Sequence, residues 1–423
     1  MLKAKARDDL VTKIDGFINH YDKKLMEYHN RPAADSERKA LTDACVAAIK
    51  RKRNTIYLFG NGGSHAIARH FEISLNAALE GTEQTIRLNH GVDFHTAQGT
   101  TTSQNYNRIF VSILENEEAN KEDLVICISG SGNSDNLLLV AAHCKKKGIQ
   151  CISFAGFNGG KLSRPKVTDF PLIAPIHDQQ ICEDAIQQQL HMLAWAIHDE
   201  LTGSEKDVRE DFLSDLACGL SHICGDVIEE VADAVSDAYL DKRQVFLLAP
   251  EGGGFSISGE HVAHNLNWDA VFEVKNPPPR RIRSTPTPCD FSGIGNDRLM
   301  PGIVSCQQLN MAHEGDVLIL YCHDADSPAV RNTMALARET GMTIYVVTGK
   351  GELSVDGLMC FQTCFPEVTA DLHQVVGHII GRTVRLNLKI KLNQTKSIGS
   401  DVLKYLVEGD LAQRRLLNVV SGV

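Results

Sequence analysis

Short apolar runs alternate with amphipathic segments along most of the chain. In residues 1–50, apolar positions recur at helical spacing, and Arg31-Pro32 separates two helices. Five candidate strands follow, and a helix from about Cys182 to Leu201 closes this half. The strands are Thr55–Phe59, Thr85–Leu88, Leu124–Ser129, Cys151–Phe154 and Phe170–Ile173. Such alternation predicts a doubly wound, mainly parallel sheet with helices on both faces, an α/β/α sandwich.

The same order of elements repeats in the second half of the chain. Residues 201–207 are polar and turn-rich, so we predict a boundary there and two domains, residues 1–203 and 204–423. Beyond it, a strand is predicted over 244–248, in which Leu248 corresponds to Leu58 of the first half. Asp316 corresponds to Asp123 in the same way. Two diverged copies of one fold explain this repetition better than chance. A final helix over 402–417 is expected to serve packing or oligomerisation.

Two turns rich in glycine and serine follow predicted strands. The first, Gly60 to Ser64, reads Gly-Asn-Gly-Gly-Ser, and the second, Gly130 to Ser134, reads Gly-Ser-Gly-Asn-Ser. Glycine lets the backbone approach a ligand, and the amides of a following helix bind anions. Neither turn matches a nucleotide-binding fingerprint. We therefore predict a phosphate site and no nucleotide cofactor, with tight turns and Ser64 as an N-cap as the alternative.

Composition and charge exclude several classes of function. The 423 residues carry a net charge of −10, which argues against binding to nucleic acid. No apolar run reaches membrane-spanning length, so no membrane partner is expected. Twelve cysteines without C-x-x-C spacing, and no secretory signal, predict a reduced, cytoplasmic compartment.

Four motifs resemble those of sugar isomerase (SIS) domains and, among these, of the phosphoheptose isomerase family. They are the run 60–64, the pair His70-Phe71, the run 128–134, and the run 156–162 (Gly-Phe-Asn-Gly-Gly-Lys-Leu). They cover most of the first half, whereas the second half matches more faintly, mainly at Gly295-Asn296-Asp297. The resemblance implies an aldose–ketose isomerase that acts on a phosphosugar of the sedoheptulose 7-phosphate type.

The resemblance also implies which residues hold the phosphate group. They lie in the two turns at the strand ends, where hydroxyls and backbone amides meet a small dianion. These residues are Asn61, Gly62, Gly63, Ser64, Ser129, Ser131, Asn133 and Ser134.

Family members carry a histidine and a catalytic glutamate on the first helix, and a glutamine and a histidine on the closing helix. These four side chains bind zinc in some members. In the first half, the matching positions are His70, Ser74, Glu183 and His191; in the second half, they are Glu260, His264, Ala370 and His378. Each half keeps three potential ligands of four, so Zn²⁺ is the candidate cofactor.

The residue chemistry agrees with parts of this assignment. Glu260 and His264 are one helical turn apart, and two imidazoles with a carboxylate suit an open zinc site. Carboxylates and imidazoles also suit the proton transfers of isomerisation. The catalytic candidates are Glu260, His264, His191, His378 and Asp297. The structural alternatives are a surface i,i+4 contact between Glu260 and His264, core or surface histidines, and an Asx turn at Asp297.

The two halves have lost complementary features. The first keeps the serine turns, whereas the second reads Cys-His-Asp-Ala-Asp-Ser over 322–327, whose carboxylates repel phosphate. Because family sites form between neighbouring subunits, we hypothesise one composite pocket per chain, and a homodimer that mimics a four-domain assembly. The rival hypothesis is a non-catalytic phosphosugar-binding or assembly protein. It is favoured by Ser74 and Ser103, which stand where the family has its glutamate and aspartate.

Overall fold

The chain folds into two compact units, each built around its own parallel sheet. The first unit is residues 24–211, and the second unit combines residues 1–23 with residues 212–423. The structure is a computed structural model, and it describes residues 2–51, 54–82, 84, 87–90, 106–204, 208–284, 303–394 and 406.

The sheet of the first unit has five parallel strands in the order β2-β1-β3-β4-β5. Strands β1 and β3 are buried at every position, as expected for apolar strands covered on both faces. The strands are β1 (Thr55–Gly60), β2 (Arg87–Asn89), β3 (Leu124–Ser129), β4 (Gln150–Gly156) and β5 (Phe170–Ala174).

Among the described residues, six helices precede or cover this sheet. Helix α3 follows β1 directly and packs against α6. The helices are α1 (Leu2–His29), α2 (Ala34–Ile49), α3 (Gly63–Leu79), α4 (Ile109–Asn116), α5 (Asp135–Lys147) and α6 (Gln179–Thr202).

The second unit repeats the architecture, with strand order β10-β9-β8-β6-β7. Its strands are β6 (Val245–Leu248), β7 (Ile282–Arg283), β8 (Val317–Asp324), β9 (Thr343–Lys350) and β10 (Gly357–Cys360). Its helices are α7 (Val208–Ser221), α8 (Gly225–Leu240), α9 (Gly253–Trp268), α10 (Ile303–Gln308), α11 (Pro328–Thr340) and α12 (Pro366–Lys391). The predicted fold class and its repetition are confirmed.

The grouping of the first 23 residues differs from the predicted domain of residues 1–203. In the structure, the amino-terminal part of α1 belongs to the second unit. Arg7 Nε donates to Glu229 Oε2 at 2.9 Å, and the backbone N–H of Gly225 donates to Asp15 Oδ1 at 3.1 Å. These contacts fix the segment by long-range pairing, which a local sequence pattern does not reveal.

Several sequence predictions fall on particular elements. The strand at Leu124–Ser129 is confirmed at both ends, and the helix expected from Cys182 begins three residues earlier, at Gln179. The helix predicted over 402–417 lies outside the described residues except for Leu406, as do Ser103 and Asp297. Among the described helices, none combines the length and the apolar character needed to cross a membrane. Every cysteine within the described ranges is a free thiol.

Candidate functional site

The two Gly/Ser turns of the first unit lie side by side at one edge of its sheet. Strands β1 and β3 are parallel neighbours, so their carboxyl ends meet there. The side chains of Asn61 and Asn136 exchange two hydrogen bonds, of 3.1 and 2.8 Å. Asn61 belongs to the first turn and Asn136 begins the helix after the second, so this pair ties the turns into one site.

The turn after β3 holds its own hydroxyls in place. Ser129 Oγ lies 3.2 Å from Ser134 Oγ and accepts the Gly132 N–H at 3.0 Å. Ser131 Oγ accepts the Asn133 N–H at 3.2 Å. The serine oxygens are therefore positioned by the backbone before any ligand arrives, which lowers the entropy lost on binding.

Glycine is required where this turn meets a second loop. Gly132 has a φ of +64°, and a Cβ there would lie 2.1 Å from the carbonyl oxygen of Gly159. The Asn133 side chain crosses the same gap, because its Oδ1 accepts the Lys161 N–H at 3.1 Å. The motif 156–162 thus supports the phosphate turn from outside.

Ser64 does not cap helix α3, and that prediction is wrong. The helix begins at Gly63, its N-cap is Gly62, and no side-chain cap hydrogen bond forms at this end. Gly62 has a φ of +53°, which turns the chain two residues earlier than a serine cap at Ser64 would. Ser64 is instead buried within the first helical turn, and its N–H donates to the Asn61 carbonyl oxygen at 3.0 Å.

The charge of this edge comes from backbone dipoles more than from cationic side chains. His65, directly after Ser64, lies with its ring 5.3 Å from that of His90. Burial, with help from neighbouring His90 and Arg69, lowers the pKa of His65 to about 4. This imidazole is therefore neutral at pH 7 and adds no positive charge to the edge of the sheet.

Two predicted ligands of the first unit come together between α3 and α6. The rings of His70 and His191 meet edge to face, with centroids 5.5 Å apart, and both are buried. Ser74 is buried one helical turn after His70. Glu183 is also buried, and its Oε1 accepts a hydrogen bond of 3.1 Å from Gln179 Nε2.

Gln179 is a site residue that the sequence reasoning missed. A Cβ at Gly130 would lie 3.3 Å from Gln179 Cγ, so this side chain rests on the phosphate turn. Through its bond to Glu183, it connects that turn with the helix of His191. The sequence signal that could have located Gln179 at the start of this helix is Asp178, the residue before it. The Asp178 side chain caps the helix by accepting the Ile181 N–H at 3.2 Å.

The second unit contains an equivalent histidine pair, with one member that the sequence did not select. The rings of His261 and His378 meet edge to face at 5.1 Å, and Gln374 Oε1 lies 2.9 Å from His261 Nδ1. Of the predicted residues on the same helix, Glu260 is half-buried and His264 is exposed. The histidine that corresponds to His70 is therefore His261.

A longer turn explains this shift of register. The first strands of the two units, β1 and β6, can be aligned by an equivalent hydrogen bond at their start. The N–H of Thr55 donates to Asp123 Oδ1 at 2.7 Å, and the N–H of Gln244 donates to Asp316 Oδ1 at 2.8 Å. This alignment pairs Leu58 with Leu247, one residue before the predicted Leu248.

Beyond β6, the added length is visible in the backbone. Gly252 and Gly253 both have positive φ, of 75° and 59°, whereas the turn after β1 has one such residue, Gly62. Helix α9 then buries His261 and Asn265, as α3 buries His70 and Ser74. From Gln244 to His261 the second unit is two residues longer than the first is from Thr55 to His70, and the turn accounts for one of the two. A pattern of apolar residues cannot locate such an insertion.

Comparison with known proteins supports the sequence resemblance. Residues 21–156 match the model of the SIS domain. The phosphoheptose isomerase of Helicobacter pylori (strain P12) is 30% identical over 139 residues, which are 33% of this chain and 71% of the relative. That of Citrifermentans bemidjiense is 30% identical over 174 residues, 40% of this chain and 85% of the relative.

Solved structures extend the likeness to both units. The C-terminal domain of glucosamine-fructose-6-phosphate aminotransferase from Francisella tularensis has a TM-score of 0.57 and 10% identity, over 90% of this chain and 96% of its own. Glucosamine-6-phosphate deaminase from Thermotoga maritima has a TM-score of 0.53 and 14% identity, over 88% and 94%. At such identities the likeness shows the fold. The fold and the paired turns define a SIS-domain protein. The sequence matches place the chain in the phosphoheptose isomerase family.

Proposed function

We propose that this protein is a phosphosugar isomerase, which interconverts an aldose phosphate and a ketose phosphate of the sedoheptulose 7-phosphate type. One observation carries the proposal. The two Gly/Ser turns of the first unit are joined by the Asn61–Asn136 pair at the carboxyl edge of a parallel sheet. Membership of the phosphoheptose isomerase family supports the reaction class.

The phosphate group would be held by hydroxyls and amides of the two turns. Ser129, Ser131 and Ser134 offer hydroxyls fixed by their own loop, and Ser64 lies at the positive end of helix α3. Charge-assisted bonds of this kind are about twice as strong as neutral ones. Gly62, Gly63 and Asn133 shape the turns around these groups.

Proton transfer is assigned to the buried groups between α3 and α6. Isomerisation needs a base that removes a proton beside the carbonyl and an acid that returns one. His70, His191 and Glu183 supply two imidazoles and a carboxylate, the donor types that zinc takes, and zinc stays a predicted cofactor. Zinc held there would polarise the substrate carbonyl. His378 and Asp297 stay predictions for the same roles, whereas the half-buried Glu260 and the exposed His264 are proposed to take no part in proton transfer.

Solvent deuterium uptake tests the reaction class directly. The intact protein is incubated in D₂O with sedoheptulose 7-phosphate and, separately, with unphosphorylated sedoheptulose. We expect NMR to show deuterium at the carbon beside the carbonyl of sedoheptulose 7-phosphate, and none in the unphosphorylated sugar. Binding without deuterium uptake, with and without added Zn²⁺, would contradict an isomerase.

Ser74 favours a second candidate function, a phosphosugar-binding protein without catalysis. It is buried one turn after His70, where the family has its catalytic glutamate. Under this alternative, the sugar phosphate raises the melting temperature but exchanges no proton with solvent. The deuterium experiment therefore separates the two functions.

The proposal also covers the setting of the protein. We place it in the cytoplasm as a homodimer, a pseudo-tetramer of SIS domains, without nucleic-acid or membrane partners. The net charge of −10 supports the absence of nucleic acid. Light scattering during size-exclusion chromatography measures the assembly, and a mass of one chain, 46.5 kDa, would contradict the dimer.

A further inference from the structure

The carboxylate of Glu251 occupies the strand end of the second unit where an anion would be expected. Glu251 lies in the long turn after β6, and its Oε2 accepts the N–H of His323 at 2.5 Å and that of Asp324 at 3.4 Å. Both amides belong to the last residues of β8. A negatively charged oxygen thus already satisfies them.

These amides correspond to the phosphate turn of the first unit. Asp326 N–H donates to Asp324 Oδ1 at 2.9 Å, as Asn133 N–H donates to Ser131 Oγ at 3.2 Å. The residue before the following helix is serine in both units. The run 322–327 therefore takes the same place after the central strand as the run 129–134, although residues 322–324 still belong to β8 and Ala325, unlike Gly132, has no positive φ.

Side chains fill the space in front of the turn in the second unit. His323 stands where the first unit has Gly130, and its Nδ1 lies 2.8 Å from Thr369 Oγ1. The ring of Phe255 lies parallel to that of His323, at 3° and with centroids 6.4 Å apart. An incoming phosphate would have to displace an imidazole that is held on two sides.

The local charge also opposes an anion. Asp324 and Asp326 add two carboxylates to that of Glu251. Lys350 Nζ, 3.5 Å from Asp324 Oδ2, and the Arg331 guanidinium, 2.8 Å from Asp326 Oδ1, balance two of these three charges. Burial lowers the pKa of His323, so its ring adds no positive charge at pH 7.

We propose that Glu251 is a built-in substitute for a bound anion, so that the second unit takes no phosphosugar and each chain holds a single phosphosugar site, in the first unit. The claim of a single phosphosugar site in each chain rests on the proposed function. The role of Glu251 does not, and it is tested separately.

Chemical rescue tests Glu251 alone. In Glu251→Gly, the amides of His323 and Asp324 lose their acceptor, and we expect the melting temperature to fall by about 4–8 °C. Acetate at 100 mM should recover at least half of this loss, while the wild type and the exposed control Glu352→Gly shift by less than 1 °C. An acetate response equal to that of the wild type would overturn the proposal.

A milder variant covers the case in which Glu251→Gly does not fold. Glu251→Gln keeps one acceptor oxygen but loses the charge. We expect faster hydrogen exchange at the amides of His323 and Asp324 than in the wild type, by about tenfold or more. Exchange unchanged at both amides would show that the carboxylate does not hold them, and would overturn the proposal.

Titration calorimetry with sedoheptulose 7-phosphate tests the number of sites. We expect one site per chain, lost in Ser131→Ala/Ser134→Ala and kept in Glu251→Gln. Two sites per chain, or a site that survives the serine changes, would overturn the assignment. If acetate rescues Glu251→Gly while the wild type binds no sugar phosphate, the role of Glu251 stands and the proposed function fails.

Discussion

The runs 129–134 and 322–327 follow the central strand of the two sheets and differ in nearly all of their chemistry. Each has a hydrogen bond from the fifth residue to the side chain of the third, and each ends in a serine before a helix. In the first unit the turn presents serine hydroxyls and glycine. In the second it presents His323 and two aspartates and binds the chain's own Glu251. Runs at the same place in two similar sheets therefore present different groups, and in the second unit a side chain of the same chain accepts the amide hydrogens.

The histidine pairs show the opposite behaviour. His70 with His191, and His261 with His378, meet edge to face at 5.5 and 5.1 Å, with ring planes inclined by 74° and 82°. The helix pairing that places them is conserved between the units although the turns are not. The two units thus differ in the turns at the strand ends and resemble each other in the helices that carry the histidines.

Removing the serines of the first turn should have the largest effect. We expect Ser129→Ala/Ser131→Ala/Ser134→Ala to raise the dissociation constant for sedoheptulose 7-phosphate by about 100-fold or more, because charge-assisted hydrogen bonds to phosphate are lost. Calorimetry measures the change.

Ser327→Ala is the matched control in the second unit. Ser327 Oγ accepts the Val330 N–H at 3.4 Å as a helix cap. Its loss should cost about 0.5–2 kcal/mol of stability and leave the dissociation constant within twofold. An equal loss of affinity in both variants would remove the proposed difference between the turns.

The histidine pair of the first unit provides the second comparison. His191→Asn should lower kcat by about 100-fold, because a positioned acid–base group contributes about 10²–10⁴. Glu260→Gln should leave kcat within twofold, since Glu260 is half-buried on a helix that turns His261 inward. Turnover is followed by NMR. A large loss in Glu260→Gln alone would return the chemistry to the originally predicted residues.

Buried histidines predict a smaller, pH-dependent effect on stability. In the second unit, burial lowers the pKa of His373 to about 3, and the ring stacks on Tyr321 at 4.4 Å. Between pH 6.5 and pH 3, His373 is protonated in the unfolded chain and neutral in the folded protein. The free energy of unfolding should therefore fall as the pH drops from 6.5 towards 3, by up to about 1.4 kcal/mol per pH unit.

Substitution isolates this contribution. Urea unfolding at pH 7.5 and pH 5 should show a smaller acid loss in His373→Gln than in the wild type. His313→Gln, at a side chain 81% exposed, should keep the wild-type difference. If His373→Gln retains the full acid loss, the burial argument for this residue is wrong.

Much of the fold was predictable because strand and helix periods are local signals. The strand Leu124–Ser129 and the break at Arg31-Pro32 follow from apolar runs and a proline. The two Gly/Ser turns were predictable for the same reason, since glycine and serine follow a strand directly. These features depend on residues close together in the chain.

The remaining features depend on where the chain inserts a residue or folds back. The second unit has two more residues than the first between the start of its first strand and its inward histidine, His261. One of them lies in the turn after β6, and no apolar pattern marks either. Glu251 and Gln179 act through contacts with distant segments, His323 and Gly130 respectively. Their roles needed the paired strands and helices in three dimensions.

A crystal structure of the protein soaked with sedoheptulose 7-phosphate tests the central claim most directly. The account predicts phosphate density between Ser64 and the turn 129–134 in the first unit, with the Glu251 carboxylate still on the amides of His323 and Asp324. Phosphate density at the turn 322–327, or none at the first turn at saturating ligand, would contradict it.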